Sequence, residues 1–214
     1  MRRDTRSEAP VAGVVGVALA GGASRRMGRD KASLLIDGEP LLSRSVARLR
    51  LALAEVIVVG TPSLAPLVPT TRIVPDAWPG RGPLGALATA LSALEPTGAE
   101  WALLVACDMP FTQPALLREI ARLALTTPEV DVVAPRGPRG LEPLHAAYHR
   151  RCLPLATARL AGDDASLRSL LATLRVRELS AEETRRLDPS GYSIFNANTP
   201  EEWSRAVRLA ADGL

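Results

Sequence analysis

Four cations, Arg25, Arg26, Arg29 and Lys31, follow a glycine pair, Gly21-Gly22, at the end of an apolar run. A glycine pair there lets backbone N–H groups approach an anion closely, because no Cβ intervenes and positive φ is tolerated. So many cations in one turn call for anions nearby, and a polyphosphate supplies them; a solvated basic turn has the same composition. Two phosphate motifs are excluded. The dinucleotide fingerprint requires a third glycine opening a helix, and the P-loop requires Gly-Lys followed by Ser or Thr, whereas Arg29 and Asp30 separate Gly28 from Lys31.

Carboxylates come next. Asp108, in Ala106-Cys-Asp-Met-Pro-Phe111, ends an apolar stretch and is held by rigid structure. It reads either as a cap or turn former or as an oxygen ligand for Mg²⁺, which uses one or two carboxylates with substrate phosphates and water. Asp76, before Ala77, has the same ambiguity between turn and ligand contact. Asn196 and Asn198 precede Thr199-Pro-Glu-Glu202, where turn formation is one reading and polar ligand contact another. His145 and His149 are the only histidines and lack further ligands at zinc spacing. Ser24 has no base beside it in sequence.

The string Leu19-Ala-Gly-Gly-Ala-Ser-Arg-Arg-Met-Gly-Arg-Asp-Lys31 resembles the signature of nucleotidyltransferases that activate small molecules with a nucleoside triphosphate. It is similar in particular to that of the molybdenum cofactor guanylyltransferases, and the likeness runs from about Val14 to Trp203. The resemblance implies a three-layer αβα Rossmann-like nucleotidyltransferase fold with a mainly parallel central sheet. It implies that Leu19, Ala20, Gly21 and Gly22 line the guanine and ribose through their backbone, and that Lys31 reaches the phosphates. Arg26 matches the family's loop arginine, Asp76 its nucleotide-contacting aspartate and Asp108 its metal-binding and nucleotide-site aspartate. Gly82, in Gly82-Pro83-Leu84, also matches on the nucleotide side, although Ala86 stands where a further glycine is usual and Gly85 adjoins it. Asn196 and Asn198 correspond to asparagines near the pterin. Glycine at position 21, where related cytidylyltransferases tend to have alanine, leans toward GTP.

The implied reaction transfers GMP from GTP to molybdopterin or its molybdenum form, giving molybdopterin guanine dinucleotide and pyrophosphate, with Mg²⁺ as cofactor and Lys31, Arg26 and Asp108 as the catalytic groups. The same chemistry with CTP or another phosphorylated acceptor, such as a sugar phosphate, is the nearest rival. A catalytically silent nucleotide-binding regulator is a rival of another class, against which the intact Lys31 and Asp108 argue. The resemblance leaves open a transient contact with molybdoenzymes or their chaperones.

The elements that position these residues follow from hydrophobic spacing. Val14 to Leu19 and Val56 to Val59 read as buried strands, Arg72 to Val74 as a short one, and Trp101 to Cys107 as the clearest inner strand. Leu42, Val46, Leu49 and Leu53 recur on one helical stripe after the Asp37-Gly38 turn, with Arg44, Arg48 and Arg50 on other faces. Pro62 to Pro69 reads as connection. Pro83 opens a helix with Leu84, Leu87, Leu91 and Leu94 on its buried stripe, and Gln113 to Leu125 is a third. Val130 to Ala134 and Leu144 to Tyr148 are further strands, a helix runs on to Ala161, Asp163 to Leu174 is helical, and Val176 to Leu179 is a short strand. Thr199 caps a last helix reaching about Ala211, with Glu202 bonding back. Alternating strands and helices imply βαβ units, and ligands of such sheets sit beyond the carboxyl ends of the strands, where Gly21, Asp76 and Asp108 fall.

A chain of 214 residues suits one domain, expected over 13–214 behind a disordered tail at 1–12. With 47% hydrophobic and only 3% aromatic residues, aliphatic side chains fill the interior and base-stacking platforms are not expected. A net charge of +3, spread along the chain, points away from nucleic acid, and no apolar run is long enough to span a bilayer. A cytoplasmic protein with two buried thiols, Cys107 and Cys152, is expected.

Overall fold

Strand β1, Val11–Leu19, is buried over its last six residues, and successive side chains enter opposite cores. Val15, Val17 and Leu19 join one apolar cluster, and Val14 and Ala18 join the other, as period-two alternation requires of an inner strand. The structure, a computed structural model, describes residues 9–21, 31–162 and 166–214.

β1 pairs in parallel with β4, Leu53–Val59, and with β6, Trp101–Ala106, while β4 carries β5, Arg72–Val74, in parallel at the edge. Beyond β6 lies β9, His145–His149, which is antiparallel both to β6 and to β7, Val132–Gly137. β10, Val176–Leu179, pairs in parallel with β7, and β8, Gly140–Leu141, folds back on it. The order across the sheet is β10-β7-β9-β6-β1-β4-β5.

Helices cover both faces. α2, Gly82–Ser92, packs with α4, Leu153–Ala161, and α5, Leu167–Leu171, on one side; α2 is buried without a break from Leu84 to Leu91. α1, Leu41–Arg50, α3, Pro114–Thr126, and α6, Ala181–Leu187, cover the other. This is the three-layer αβα arrangement with a mainly parallel sheet. A third, smaller core joins α7, Pro200–Ala211, to the hairpin β2–β3, Leu35–Ile36 and Glu39–Pro40, and gathers both phenylalanines with Tyr192 and Trp203. Among the described residues no helix is long and apolar enough to cross a membrane.

Several boundaries differ from the sequence expectation for identifiable reasons. β1 begins at Val11, inside the stretch expected as tail, because the Val11 N–H bonds to the Ala52 carbonyl at 2.8 Å; Gly13, at φ +84°, absorbs the register shift that follows. Leu53 belongs to β4 and not to the α1 stripe, since Leu51 and Ala52 turn the chain. Arg44 is buried, donating from Nε to the Pro110 carbonyl at 3.0 Å with its guanidinium over Phe111. Pro62–Leu67 is a 3-10 helix. The helix expected from Asp163 is short: Ser166 caps it through the Ser169 N–H at 3.3 Å, so it starts at Leu167. α6 was not expected; Ser180 and Glu183 form its capping box.

Candidate active site

Because β1, β4, β5 and β6 run in parallel, Leu19, Asp76 and Asp108 all follow strand ends at one edge of the sheet. Leu19 and Ala20 are locked there. The Cys107 N–H donates to the Leu19 carbonyl at 3.1 Å, and the Ala20 N–H donates to the Val59 carbonyl at 2.9 Å. Gly21 is exposed, and a Cβ built on it meets no atom of the described residues within 4 Å. Of the expected guanine-lining backbone, Leu19 and Ala20 are therefore held by the sheet and Gly21 is exposed. Gly22 and Arg26, together with Ser24, Arg25 and Arg29, lie outside the described residues.

Lys31 opens a short 3-10 turn, and its Nζ sits between two groups far away in sequence. It donates to Asn198 Oδ1 at 2.6 Å and lies 3.6 Å from Asp108 Oδ2. The Lys31 and Asp108 side chains are only 14% and 18% exposed, so their attraction is weakly screened. Burial nevertheless raises the Asp108 carboxyl above its ordinary range, with the Lys31 charge pulling the other way. Asp108 Oδ1 is buried and has no hydrogen-bond partner among the described residues.

The C-terminal segment holds this cluster together. The Asp108 backbone carbonyl accepts the Ala197 N–H at 2.9 Å, which brings Asn198 against Lys31. The Glu202 carboxylate accepts the N–H groups of Asn198 at 2.8 Å and Thr199 at 3.0 Å, completing the expected box at the start of α7. Upstream, buried Asp188 takes the Ser193 N–H at 2.7 Å, and Ser193 Oγ takes the Gln113 N–H at 2.9 Å, anchoring the loop to the start of α3. Apart from the box at Thr199 and Glu202, none of these links is visible from spacing. Asn196 does not join the cluster: its Nδ2 donates to the Ile194 carbonyl at 3.2 Å, a local turn contact.

On the opposite flank, Asp76 Oδ1 accepts from the Trp78 N–H at 3.0 Å and from the Thr89 hydroxyl at 2.9 Å. The turn reading of Asp76 is thus realised, and the carboxylate also fixes α2 against the loop. Gly82 has φ +62°, which L side chains rarely adopt, and it starts α2 with Pro83 in the first turn. A Cβ on Gly85 would lie 2.8 Å from the Trp78 carbonyl oxygen, so Gly85 serves the packing of α2 on this loop. Arg81 donates to the carbonyls of Leu160 and Gly162 at the end of α4. Gly85 is therefore close-packed, whereas a Cβ on Gly82 would meet no described atom within 4 Å.

The histidines take no part. His145 is fully buried with neither ring nitrogen hydrogen-bonded among the described residues, and burial lowers its pKa to about 4; His149 Nδ1 accepts the Arg151 N–H at 3.0 Å. Both cysteines are buried, and burial pushes the Cys152 thiol up to about 12. No group of three or more His, Cys, Asp or Glu side chains suited to a metal occurs among the described residues. A cation bound mainly by substrate oxygens needs only one or two protein carboxylates. The orphaned Asp108 Oδ1 is such a donor, so the site fits a divalent cation in that mode.

Residues 16–180 match the model of the MobA-like NTP transferase domain. The chain belongs to the MobA-like NTP transferase family. It is 37% identical to a protein of Pelotomaculum thermopropionicum named "Probable molybdenum cofactor guanylyltransferase", over 91% of this chain and 92% of that one. Its fold matches the crystal structure of molybdopterin-guanine dinucleotide biosynthesis protein A from Archaeoglobus fulgidus, with a TM-score of 0.80 at 22% identity, covering 92% of this chain and 99% of that one. A Mycobacterium tuberculosis protein solved in complex with manganese shares the fold with a TM-score of 0.67 at 21% identity, covering 91% of this chain and 98% of that one. The family match ends at residue 180, so Asn198 reaches Lys31 from outside the matched domain.

Proposed function

We propose that the protein transfers GMP from GTP to molybdopterin, releasing pyrophosphate and leaving molybdopterin guanine dinucleotide. The observation that carries this reading is the Lys31–Asp108–Asn198 cluster at the carboxyl edge of a MobA-like sheet. The guanylyltransferase name of a relative aligned over nine-tenths of both chains supports the choice of substrates.

The acceptor carries an ionised phosphate, which is already a nucleophile. One of its oxygens bonds to the α-phosphorus of GTP in line as the bond to the bridging oxygen of pyrophosphate breaks, so no general base is required. Catalysis is then positioning and charge stabilisation. Mg²⁺, held by Asp108, would supply charge neutralisation at the phosphate oxygens. Lys31 offsets the charge that grows on the leaving pyrophosphate. Asn198 keeps Lys31 from collapsing fully onto Asp108 and so leaves the ammonium with a donor for phosphate. Arg26 adds a second cation, and the backbone of Leu19, Ala20, Gly21 and Gly22 faces the base and ribose, with Asp76 and Gly82 on the same flank. Asn196 shapes the loop on the acceptor side.

The decisive experiment is turnover of GTP, CTP and ATP with molybdopterin, read as pyrophosphate release with Mg²⁺ or Mn²⁺. GTP is expected to exceed the other nucleotides at least tenfold, a discrimination within reach of a few hydrogen bonds. Preference for CTP, or no pyrophosphate with any of the three, would overturn the proposal.

A further inference from the structure

Glu142 lies on the flank of β6 away from β1, β4 and β5. The sheet order sets β1, β4 and β5, which lead to Gly21 and Asp76, on one flank of β6, and β9 and β7 on the other. The Glu142 N–H bonds to the Pro135 carbonyl of β7 at 3.0 Å, and its carbonyl accepts the His145 N–H at 3.3 Å. His145 is the first residue of antiparallel β9 and pairs with Val105, so Glu142 lies beyond the carboxyl end of β6, at the edge that carries Asp108. The Leu144 carbonyl accepts the Ala106 N–H at 3.2 Å, which pins this segment to the strand ending in Asp108.

The side chain is held but not consumed. The Leu144 N–H lies close enough to favour the ionised carboxylate, and Arg168 and Arg139 act on it as nearby charges. Burial raises its carboxyl above the ordinary range, and the Asp108 charge adds to the rise, which places the two carboxylates in one electrostatic neighbourhood. A partly desolvated carboxylate with acceptor capacity left over is costly unless paired donors meet it. A pterin ring carries such a pair, a ring N–H beside an exocyclic amino group, in the parallel geometry that a carboxylate accepts with both oxygens.

We propose that Glu142 determines acceptor specificity by reading the amino-lactam edge of the pterin, across Asp108 from the nucleotide. The inference rests on the guanylyl-transfer reading. Guanine has the same donor pair, and position assigns Glu142 to the acceptor: the strands leading to Gly21 and Asp76 lie on the other flank.

The test uses free pterin and lumazine, in which a carbonyl replaces the exocyclic amino group, titrated by their own fluorescence into the GTP-bound protein. The native protein should bind pterin about tenfold or more tightly than lumazine, the size of a lost hydrogen bond to a charged group. Glu142→Gln, whose amide offers one donor and one acceptor, should lose that preference or reverse it, with GTP affinity by calorimetry unchanged. Equal binding of the two pteridines by the native protein would overturn the assignment without any variant having to fold. So would a pterin preference that survives in Glu142→Gln, or a GTP affinity that falls with it. Pyrophosphate release by the native protein with GTP and molybdopterin is measured separately, and its absence would count against guanylyl transfer and not against pterin recognition.

Discussion

Asn198 Oδ1 accepts a hydrogen bond from Lys31 Nζ at 2.6 Å across 167 positions of sequence. That bond joins Lys31, after β1, to the approach to α7, and it gives Asn198 a contact within the protein. The resemblance places this asparagine near the pterin, and its contact within the protein is with the lysine assigned to phosphate.

Asn198→Ala is therefore expected to act on chemistry. Without the amide oxygen, Lys31 is drawn toward Asp108 Oδ2, now 3.6 Å away, and its charge is less available to the leaving group. Turnover should fall about tenfold, roughly 1.4 kcal/mol of transition-state stabilisation. Thr199 supplies the cap of α7, so the melting temperature should move by less than about 2 °C. Single-turnover pyrophosphate release and a thermal melt check both; an intact turnover number would sink the positioning role.

Asp108 should separate activity from stability. Its folded-state carboxyl is raised chiefly by burial, so the ionised form weakens the fold at neutral pH. Metal-free Asp108→Asn should melt above the native protein at pH 7. The gap should close as pH falls below the ordinary carboxyl value of 3.8, where the native side chain is protonated in both states. Turnover should drop at least about 10²-fold, roughly 2.7 kcal/mol. A variant less stable than native at pH 7 would contradict the desolvation account.

Asp131 has the opposite sign. Its carboxylate accepts from Arg175 Nη2 at 2.7 Å, Nε at 2.9 Å and the backbone N–H at 3.1 Å, and these bonds hold its carboxyl below the ordinary range. The stability it contributes is present above the ordinary value of 3.8 and lost as pH falls through the lower folded value. Asp131→Asn should cost about 1–2 kcal/mol at pH 7 and much less in strong acid, read from urea melts at the two pH values. A cost independent of pH would mean that charge is not involved.

The loop glycines should divide into two kinds. A Cβ at Gly85 would press on the Trp78 carbonyl at 2.8 Å, so Gly85→Ala should lower stability by about 1–3 kcal/mol. Gly21→Ala meets open space and should melt like the native protein, while weakening GTP use relative to CTP by about 1–3 kcal/mol if the base lies against it. Competition between the two nucleotides measures this, and an equal loss for both would show that Gly21 does not read the base.

The inner strands were legible because burial on both faces removes alternation, as in Trp101–Ala106, and Asp108 is marked by interrupting such a run. Thr199-Pro-Glu-Glu202 announces α7 through its capping box. Ser180-Ala-Glu-Glu183 carries the same signal and is what would have found α6. The direction of β9 was not legible, because a strand buried inside a sheet has the same composition whichever way it runs. Nor was the meeting of Lys31, Asp108 and Asn198, which depends on the Ala197 N–H reaching the Asp108 carbonyl, a backbone contact that leaves no trace in residue type.

That backbone contact has a consequence for the protein while it is being made. Lys31 and the strand ending in Asp108 leave the ribosome long before Ala197, Asn198 and the helix behind them. A nascent or prematurely terminated chain therefore has its cationic loop and its strands but no partner to keep Lys31 off Asp108. The Lys31–Asn198 bond that spaces this lysine from Asp108 therefore forms only once the residues just ahead of α7 have been made.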